Sequence, residues 1–216
     1  MVARQMVNFV YMIGDRETGE AVVVDPAYDV TALLEYLEAD GMRCTGVLAT
    51  HHHPDHVGGS MMGYDIIGVS DLLEAVSVPV HAQADEAELI ARVTGLGAGD
   101  IVEHTSGDIV TVGAIPIELI HTPGHTPGSQ CFRVKNTLIS GDTLFINGCG
   151  RVDLPGSNSE DMYHSMCKLC SLPDDTLLLP GHNYGHVPNA TIGETKQMNT
   201  YLRIDDIDTW KTIMGG

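Results

Sequence analysis

The chain has 216 residues, enough for one domain with a substantial core. Lys plus Arg number 11 against 29 Asp plus Glu, a formal charge of -18 that repels phosphate backbones and anionic lipid, so nucleic acid and membrane are not expected as partners. The cysteines, five and scattered, do not form a disulfide framework, and a reducing, cytoplasmic setting is the expectation.

In chain order, Met1 to Ile13 lacks the layout of a signal peptide, and no apolar run approaches the ~20 residues that span a bilayer. Met6–Ile13 and Ala21–Val24 read as a hairpin closed by the polar turn 14–20. Asp25-Pro26 stops the second strand, and Asp29 caps a helix in which Leu33, Leu34 and Leu37 recur until Gly41. Val47-Leu48-Ala49 is a buried strand that delivers Thr50-His51-His52-His53-Pro54-Asp55-His56. In extended backbone successive side chains alternate, so His51 and His53 share one side while His52 points away. Pro54 bends the run, so that Asp55 and His56 reach a second point nearby, and one loop can serve two metals.

Ser60–Val76 carries mixed signals that do not resolve into elements, and its Met61 and Met62 read as core filling ahead of pocket lining. Val78–His81 reads as a strand and Ala84–Val93 as a helix, with acidic residues in its first turn. Ile101–Ile120 has the short, Gly-punctuated runs of a second sheet. Its last strand, Ile117–Ile120, runs into His121-Thr122-Pro123-Gly124-His125. Gln130–Val134 and Thr137–Ser140 read as paired strands, the second ending in Gly141-Asp142. Glu160–Leu172 reads as a helix whose Cys167 and Cys170 serve packing, and Leu177–Leu179 as a strand ending in Pro180-Gly181-His182. Strand ends thus repeatedly present His or Asp, the expected placement of ligands in an α/β sheet.

With these motifs in place, the chain resembles the metallo-β-lactamase superfamily. Its HxHxDH signature stands here as His51, His53, Asp55 and His56, followed in order by His125 in Pro-Gly-His-Thr-Pro-Gly, Asp142 in Ser-Gly-Asp-Thr-Leu-Phe, and His182 in Pro-Gly-His-Asn-Tyr. The resemblance implies a four-layer αββα sandwich of mixed α/β class. It implies His51, His53 and His125 on one metal, Asp55, His56 and His182 on a second, and Asp142 bridging. Residues 1–216 read as a single such domain with a short C-terminal helical extension. Two divalent cations can share a hydroxide at neutral pH and polarise a carbonyl, so no Ser or Cys nucleophile is needed. Asp55 is the residue placed to orient that hydroxide and take its proton. His121 reads as a support behind the ligands or as structural, and His52, His81, His104, His164 and His186 as surface or hydrogen-bonded core residues.

Within the superfamily, Gly141–Arg151 looks like the glyoxalase II group, which implies hydrolysis of a glutathione thioester. Cys149-Gly150-Arg151-Val152-Asp153 and Met162-Tyr163-His164-Ser165 also look like the persulfide dioxygenases. That alternative implies a single iron, Fe(II), held by His51, His53 and Asp142. Pro180-Gly181-His182 resembles the hydrolase form, where the dioxygenases carry Ala in place of Gly181, so hydrolysis is preferred. Lactone or other ester hydrolysis stays open, because fold and metals do not fix the substrate. Arg151 and Tyr184 fall where glyoxalase-like proteins place substrate contacts, with Lys196 and Arg203 as weaker possibilities. The bland alternatives are a loop salt bridge for Arg151 and core packing for Tyr184. The expected cofactors are two divalent ions, zinc or else iron or manganese, and the expected partner is a small molecule such as a glutathione conjugate. The quaternary state is not legible, and a homodimer stays open.

Overall fold

Alternation along β2 shows how the layers stack in the computed structural model, which describes residues 6–215. Strand β2 (Glu20–Val24) sends Ala21 and Val23 into a core shared with helices, and Val22 and Val24 into a core shared with another sheet. A period of two on a strand buried on both faces requires this division.

The first sheet has the order β1-β2-β3-β6-β7, built from β1 (Tyr11–Asp15), β2, β3 (Arg43–Leu48), β6 (Val80–Gln83) and β7 (Ile101–His104). All neighbours in it run parallel except the β1/β2 hairpin. Helices α1 (Val30–Ala39), α3 (Val69–Ala75) and α4 (Ala84–Thr94) cover its outer face, with Leu37, Leu72 and Ile90 buried against Val47 and Val80. The second sheet has the order β13-β12-β11-β10-β9-β8, with β8 (Ile109–Val112), β9 (Ile115–His121), β10 (Gln130–Val134), β11 (Thr137–Gly141), β12 (Leu177–Pro180) and β13 (Ala190–Thr191). On its outer face lie α5 (Ser159–Cys170), α6 (Ile192–Met198) and α7 (Ile207–Met214), where Met162, Met166, Leu169, Ile192 and the fully buried Trp210 pack with Cys131, Leu138 and Leu178. Trp210 donates its indole N–H to the Ser159 carbonyl at 2.8 Å, so the large apolar ring is buried without an orphaned donor. Val22, Val24, Leu48, Ile117, Leu119, Phe132 and Ile139 form the layer between the sheets. This is the helix-sheet-sheet-helix order expected from the sequence.

Several local expectations change. The first strand starts at Tyr11 rather than Met6; residues 6–10 instead lead past the site, with an isolated bridge from Asn8 to His182. The first five residues of the segment read for targeting signals lie outside the described residues. Strand β7 pairs with β6 in the first sheet instead of joining β8 and β9 in the second. A short strand's sheet is chosen by long-range pairing, which its own composition does not encode. The segment 60–76, which the sequence does not divide into elements, holds most of a small hairpin, β4 (Gly59–Met61) with β5 (Tyr64–Ile66), followed by α3. Met62 is 86% exposed and Met61 half-buried, so neither fills the core. Cys170 is half-buried on α5, but Cys167 is exposed, so only one of the pair serves packing.

Candidate metal centre

Every residue read as a ligand lies beyond the C-terminal end of a strand, at the edge where the two sheets meet. Strand β3 ends at Leu48 and delivers His51 and His53. Pro54 does more than bend the chain: it occupies the first position of a one-turn helix, α2 (Pro54–Val57), where its missing N–H costs nothing. That turn carries Asp55 and His56 inward, both buried. From the second sheet come His125 after β9, Asp142 after β11 and His182 after β12.

The donor atoms converge in groups: His51, His53 and His125; Asp55, His56 and His182; and His51, His56 and Asp142. His51 Nε2 and His125 Nε2 each lie 3.0 Å from His53 Nδ1, and His56 Nε2 lies 3.1 Å from His182 Nε2. Three nitrogens meeting at one point cannot all be satisfied by one another's protons. Donors bound to a common cation at about 2.0–2.1 Å would sit roughly 3.3 Å apart, close to what is seen. Asp142 lies between the groups, with Oδ1 3.4 Å from His56 Nε2 and Oδ2 3.2 Å from His182 Nε2 and 3.7 Å from His125 Nε2. Its Oδ1 is buried and, among the described residues, lacks a hydrogen-bond partner. A buried carboxylate oxygen without a donor is costly, and a divalent cation is the partner that would satisfy it. The residues present therefore fit a pair of metal ions.

Outward nitrogens fix the tautomers of His51, His56, His125 and His182. His125 Nδ1 donates to the Arg151 carbonyl at 2.9 Å and His182 Nδ1 to the Met6 carbonyl at 2.8 Å, which leaves both Nε2 lone pairs aimed inward. Asp25 Oδ2 takes His56 Nδ1 at 2.9 Å and the Thr50 hydroxyl at 2.6 Å, while its Oδ1 accepts the Thr50 N–H at 2.8 Å. Thr50 Oγ1 in turn contacts His51 Nδ1 at 3.0 Å. The sequence reading took Asp25 only as a strand stop. Its place after β2, parallel to and beside β3, is the one signal that could have marked it as a support for the histidine loop. Asn8 was missed as well: its Nδ2 donates to Asp55 Oδ2 at 3.1 Å and to the Asp55 carbonyl at 3.0 Å.

Electrostatics follow the same arrangement. Burial, reinforced by the neighbouring imidazoles, pushes His51 well below the usual histidine range and His53 down to about 4, so both are neutral at pH 7 as metal ligation requires. Burial would also depress His56, but Asp142, Asp55 and Asp25 outweigh it and lift the ring to about 10. Burial would raise Asp142, yet His56, His182 and His125 hold it far below the ordinary carboxylate range. The carboxylates crowded here thus call for positive charge.

The remaining histidines behave as bystanders. His52 turns away as its parity requires and meets the buried Glu86 at 2.5 Å. His121 Nε2 donates to the Pro127 carbonyl at 2.9 Å and holds the loop that carries His125. His81 Nδ1 and His104 Nε2 pair at 2.9 Å on the first sheet. The single-iron set expected from sequence is not the one assembled, because Asp142 groups with His51 and His56 rather than with His51 and His53. The α2 turn brings His56 to within 3.4 Å of Asp142, and His53 faces His125 instead.

A cavity of about 410 Å³ opens onto this cluster, lined by His53, Asp55, His125, Asp142 and His182 together with Arg151 and Tyr184. Tyr184 is 48% exposed, not core; its ring stacks on His182 with centroids 4.7 Å apart and planes within 4°. Burial, then Asp142 and Asp55, push its phenol up to about 12, so it remains an O–H donor. Arg151 grips Asp153 through two bonds of 2.9 and 2.8 Å. Lys196 pairs with Asp174, and Arg203 bonds the Gln197 carbonyl; neither lines this cavity.

A sandwich with an open His/Asp cluster at the meeting edge of its sheets defines a class of metal-dependent enzymes. The chain belongs to the metallo-beta-lactamase superfamily, whose family model matches residues 4–182. It is 32% identical to hydroxyacylglutathione hydrolase of Photorhabdus laumondii over 95% of this chain and 86% of that protein. It is 31% identical to the human mitochondrial persulfide dioxygenase ETHE1, covering 96% of this chain and 76% of that one. The crystal structure of ETHE1 from Myxococcus xanthus superposes with a TM-score of 0.83 at 28% identity, over 98% of this chain and 86% of that one. No helix among the described residues is long and apolar enough to cross a membrane.

Proposed function

We propose that the protein hydrolyses thioesters at a two-metal centre, with His51, His53 and His125 holding one ion, Asp55, His56 and His182 the other, and Asp142 between them. The observation that carries this reading is Asp142, whose Oδ2 lies 3.2 Å from His182 of one group and 3.7 Å from His125 of the other, and whose buried Oδ1 has no hydrogen-bond partner among the described residues. Two divalent cations held there would supply an activated water and polarisation of the scissile carbonyl. The donor set accepts zinc, iron or manganese.

The chain's own groups complete the site. Asp55, held by Asn8 and 3.5 Å from His182 Nε2, is positioned to take a proton from attacking water. Tyr184 presents a phenol donor beside the same pocket, and Phe145, edge-on to both His182 and Tyr184, walls off solvent. Arg151 contacts substrate through the N–H groups that its pair with Asp153, made by Nε and Nη2, leaves over. The charge of -18 favours a small-molecule substrate, a glutathione thioester being the first probe, over nucleic acid or a membrane surface. Free cysteines throughout support a reducing cytoplasm.

The similarity to ETHE1 from Myxococcus xanthus favours a second reading, a persulfide dioxygenase with one iron on His51, His56 and Asp142, a two-His, one-carboxylate set. Metal analysis of protein purified without added metal, with thioester turnover and oxygen uptake on glutathione persulfide, separates the two. Two metals and thioester cleavage without oxygen uptake support the hydrolase. One iron with oxygen uptake overturns it in favour of the dioxygenase.

A further inference from the structure

The metal cavity has an apolar wall that metal binding does not explain. The β4–β5 hairpin stands over the cluster and turns through Met62 and Gly63, both at positive φ, 53° and 80°. Two-residue turns of this kind favour Asn or Gly at the first position, because a side chain at positive φ is strained. Here the position holds a methionine that is 86% exposed, so neither turn chemistry nor core packing accounts for it. Strain kept at the rim of a site points to a role in the site. Met61, Met62, Met6, Phe145 and Leu154 together line the cavity. Methionine is unbranched and polarisable, and suits a surface that must fit flexible apolar chains of varying length.

The cavity's charge agrees. Arg151 is the only cationic residue among the described residues that line it, and its guanidinium is already engaged by Asp153 in a two-pronged pair. A neighbouring groove shares Asn147, Cys149, Gly150 and Arg151 with the cavity and continues past Tyr201 to Ile213 and Met214 on α7. That groove is mixed, with Asn147, Arg151 and Asp153 beside Val152, Ile213 and Met214, so the apolar wall belongs to the cavity itself.

We infer that the methionine wall is an acyl-chain subsite, and that the preferred substrates are thioesters bearing an extended apolar acyl group rather than a short hydroxyacyl group. This rests on the hydrolase reading above. Water adds its oxygen to the thioester carbonyl carbon, the C–S bond breaks, and the thiolate leaves with the proton as free thiol; no oxidant or reductant enters. At about 410 Å³ the cavity is within the range of small-ligand sites.

The test uses the metal-loaded full chain with N-acetylcysteamine thioesters of acetyl, butanoyl, hexanoyl and octanoyl groups, alongside S-lactoylglutathione. Each added methylene buried on the wall should raise kcat/KM roughly fourfold until the cavity fills. In Met62→Ser and Met61→Ser the octanoyl-to-acetyl ratio should fall about tenfold, while Met12→Ser, on β1 and outside the cavity lining, should keep the parent ratio. A flat or falling chain-length profile, or preference for S-lactoylglutathione over octanoyl, overturns the assignment. Should no thioester be cleaved, the hydrolase reading fails by itself. Calorimetry with S-alkyl N-acetylcysteamine thioethers then decides the subsite: affinity that climbs with chain length and is lost in Met62→Ser upholds it, and length-independent affinity removes it.

Discussion

Two histidine clusters share this molecule, and only one is built as a metal centre. In the pair on the first sheet, His81 Nδ1 and His104 Nε2 face each other at 2.9 Å, one donating and the other accepting, and a lone carboxylate, Asp108, lies 3.5 Å from His104 Nδ1. That pair is chemically complete. At the sheet edge, the same imidazole spacing recurs around His53, but the outward nitrogens are tied to carbonyls and to Asp25, and carboxylates enter from other elements. The contrast teaches that histidine count does not make a metal centre. Fixed tautomers with surplus inward lone pairs, and carboxylates left without donors, do.

The comparison breaks most completely at Asp142. Asp142→Ala should strip metal from both groups and reduce activity by more than the roughly 10–100-fold attributed to a supporting residue, and elemental analysis after desalting checks it. Retention of both ions would mean that the carboxylate is not shared. Next comes Gly181, where a Cβ would stand 2.5 Å from Asp142 Oδ1 and 2.9 Å from the Gly141 carbonyl carbon. Gly181→Ala should therefore displace the carboxylate and lower metal stoichiometry, although an alanine at this place carries no backbone penalty; unchanged stoichiometry would show that the loop yields instead.

Asp25→Ala leaves every ligand in place but frees His56 and Thr50. Metal affinity should drop about 10–100-fold in a competitive chelator titration, and an unaltered constant would leave the tautomer argument without support. The smallest effect is expected at the bystander pair. Burial and then His104 lower His81 to about 4, so between about pH 6.5 and 4 the unfolded chain binds more protons than the folded one. The stability from this group is fully present above pH 6.5 and is lost as the pH falls toward 4. His81→Gln should flatten that part of the fall in urea-unfolding midpoint, with no change in metal content; parallel profiles would remove the effect.

How much of this was legible follows from chain distance. The loop from His51 to His56 announces itself because its ligands are consecutive and strand parity sorts them, and His125, Asp142 and His182 each follow an apolar strand in a short Gly-containing motif. Asp25 and Asn8 were silent because a supporting hydrogen bond needs only one ordinary polar residue brought close by folding. The sheet to which Ile101–His104 belongs was hidden for a similar reason: four residues of strand do not name their neighbour. Met61 and Met62 were misread as core because an apolar residue at a pocket rim has the same composition as one inside.

His51, His53 and His56 enter the cluster from the first sheet, and His125, Asp142 and His182 from the second. During synthesis the early histidines wait through most of translation for counterparts that do not yet exist, and residue 182 must leave the ribosome before the last donor arrives. Loading with metal is therefore a late event in the life of the chain, and a prematurely stopped copy cannot carry a finished centre.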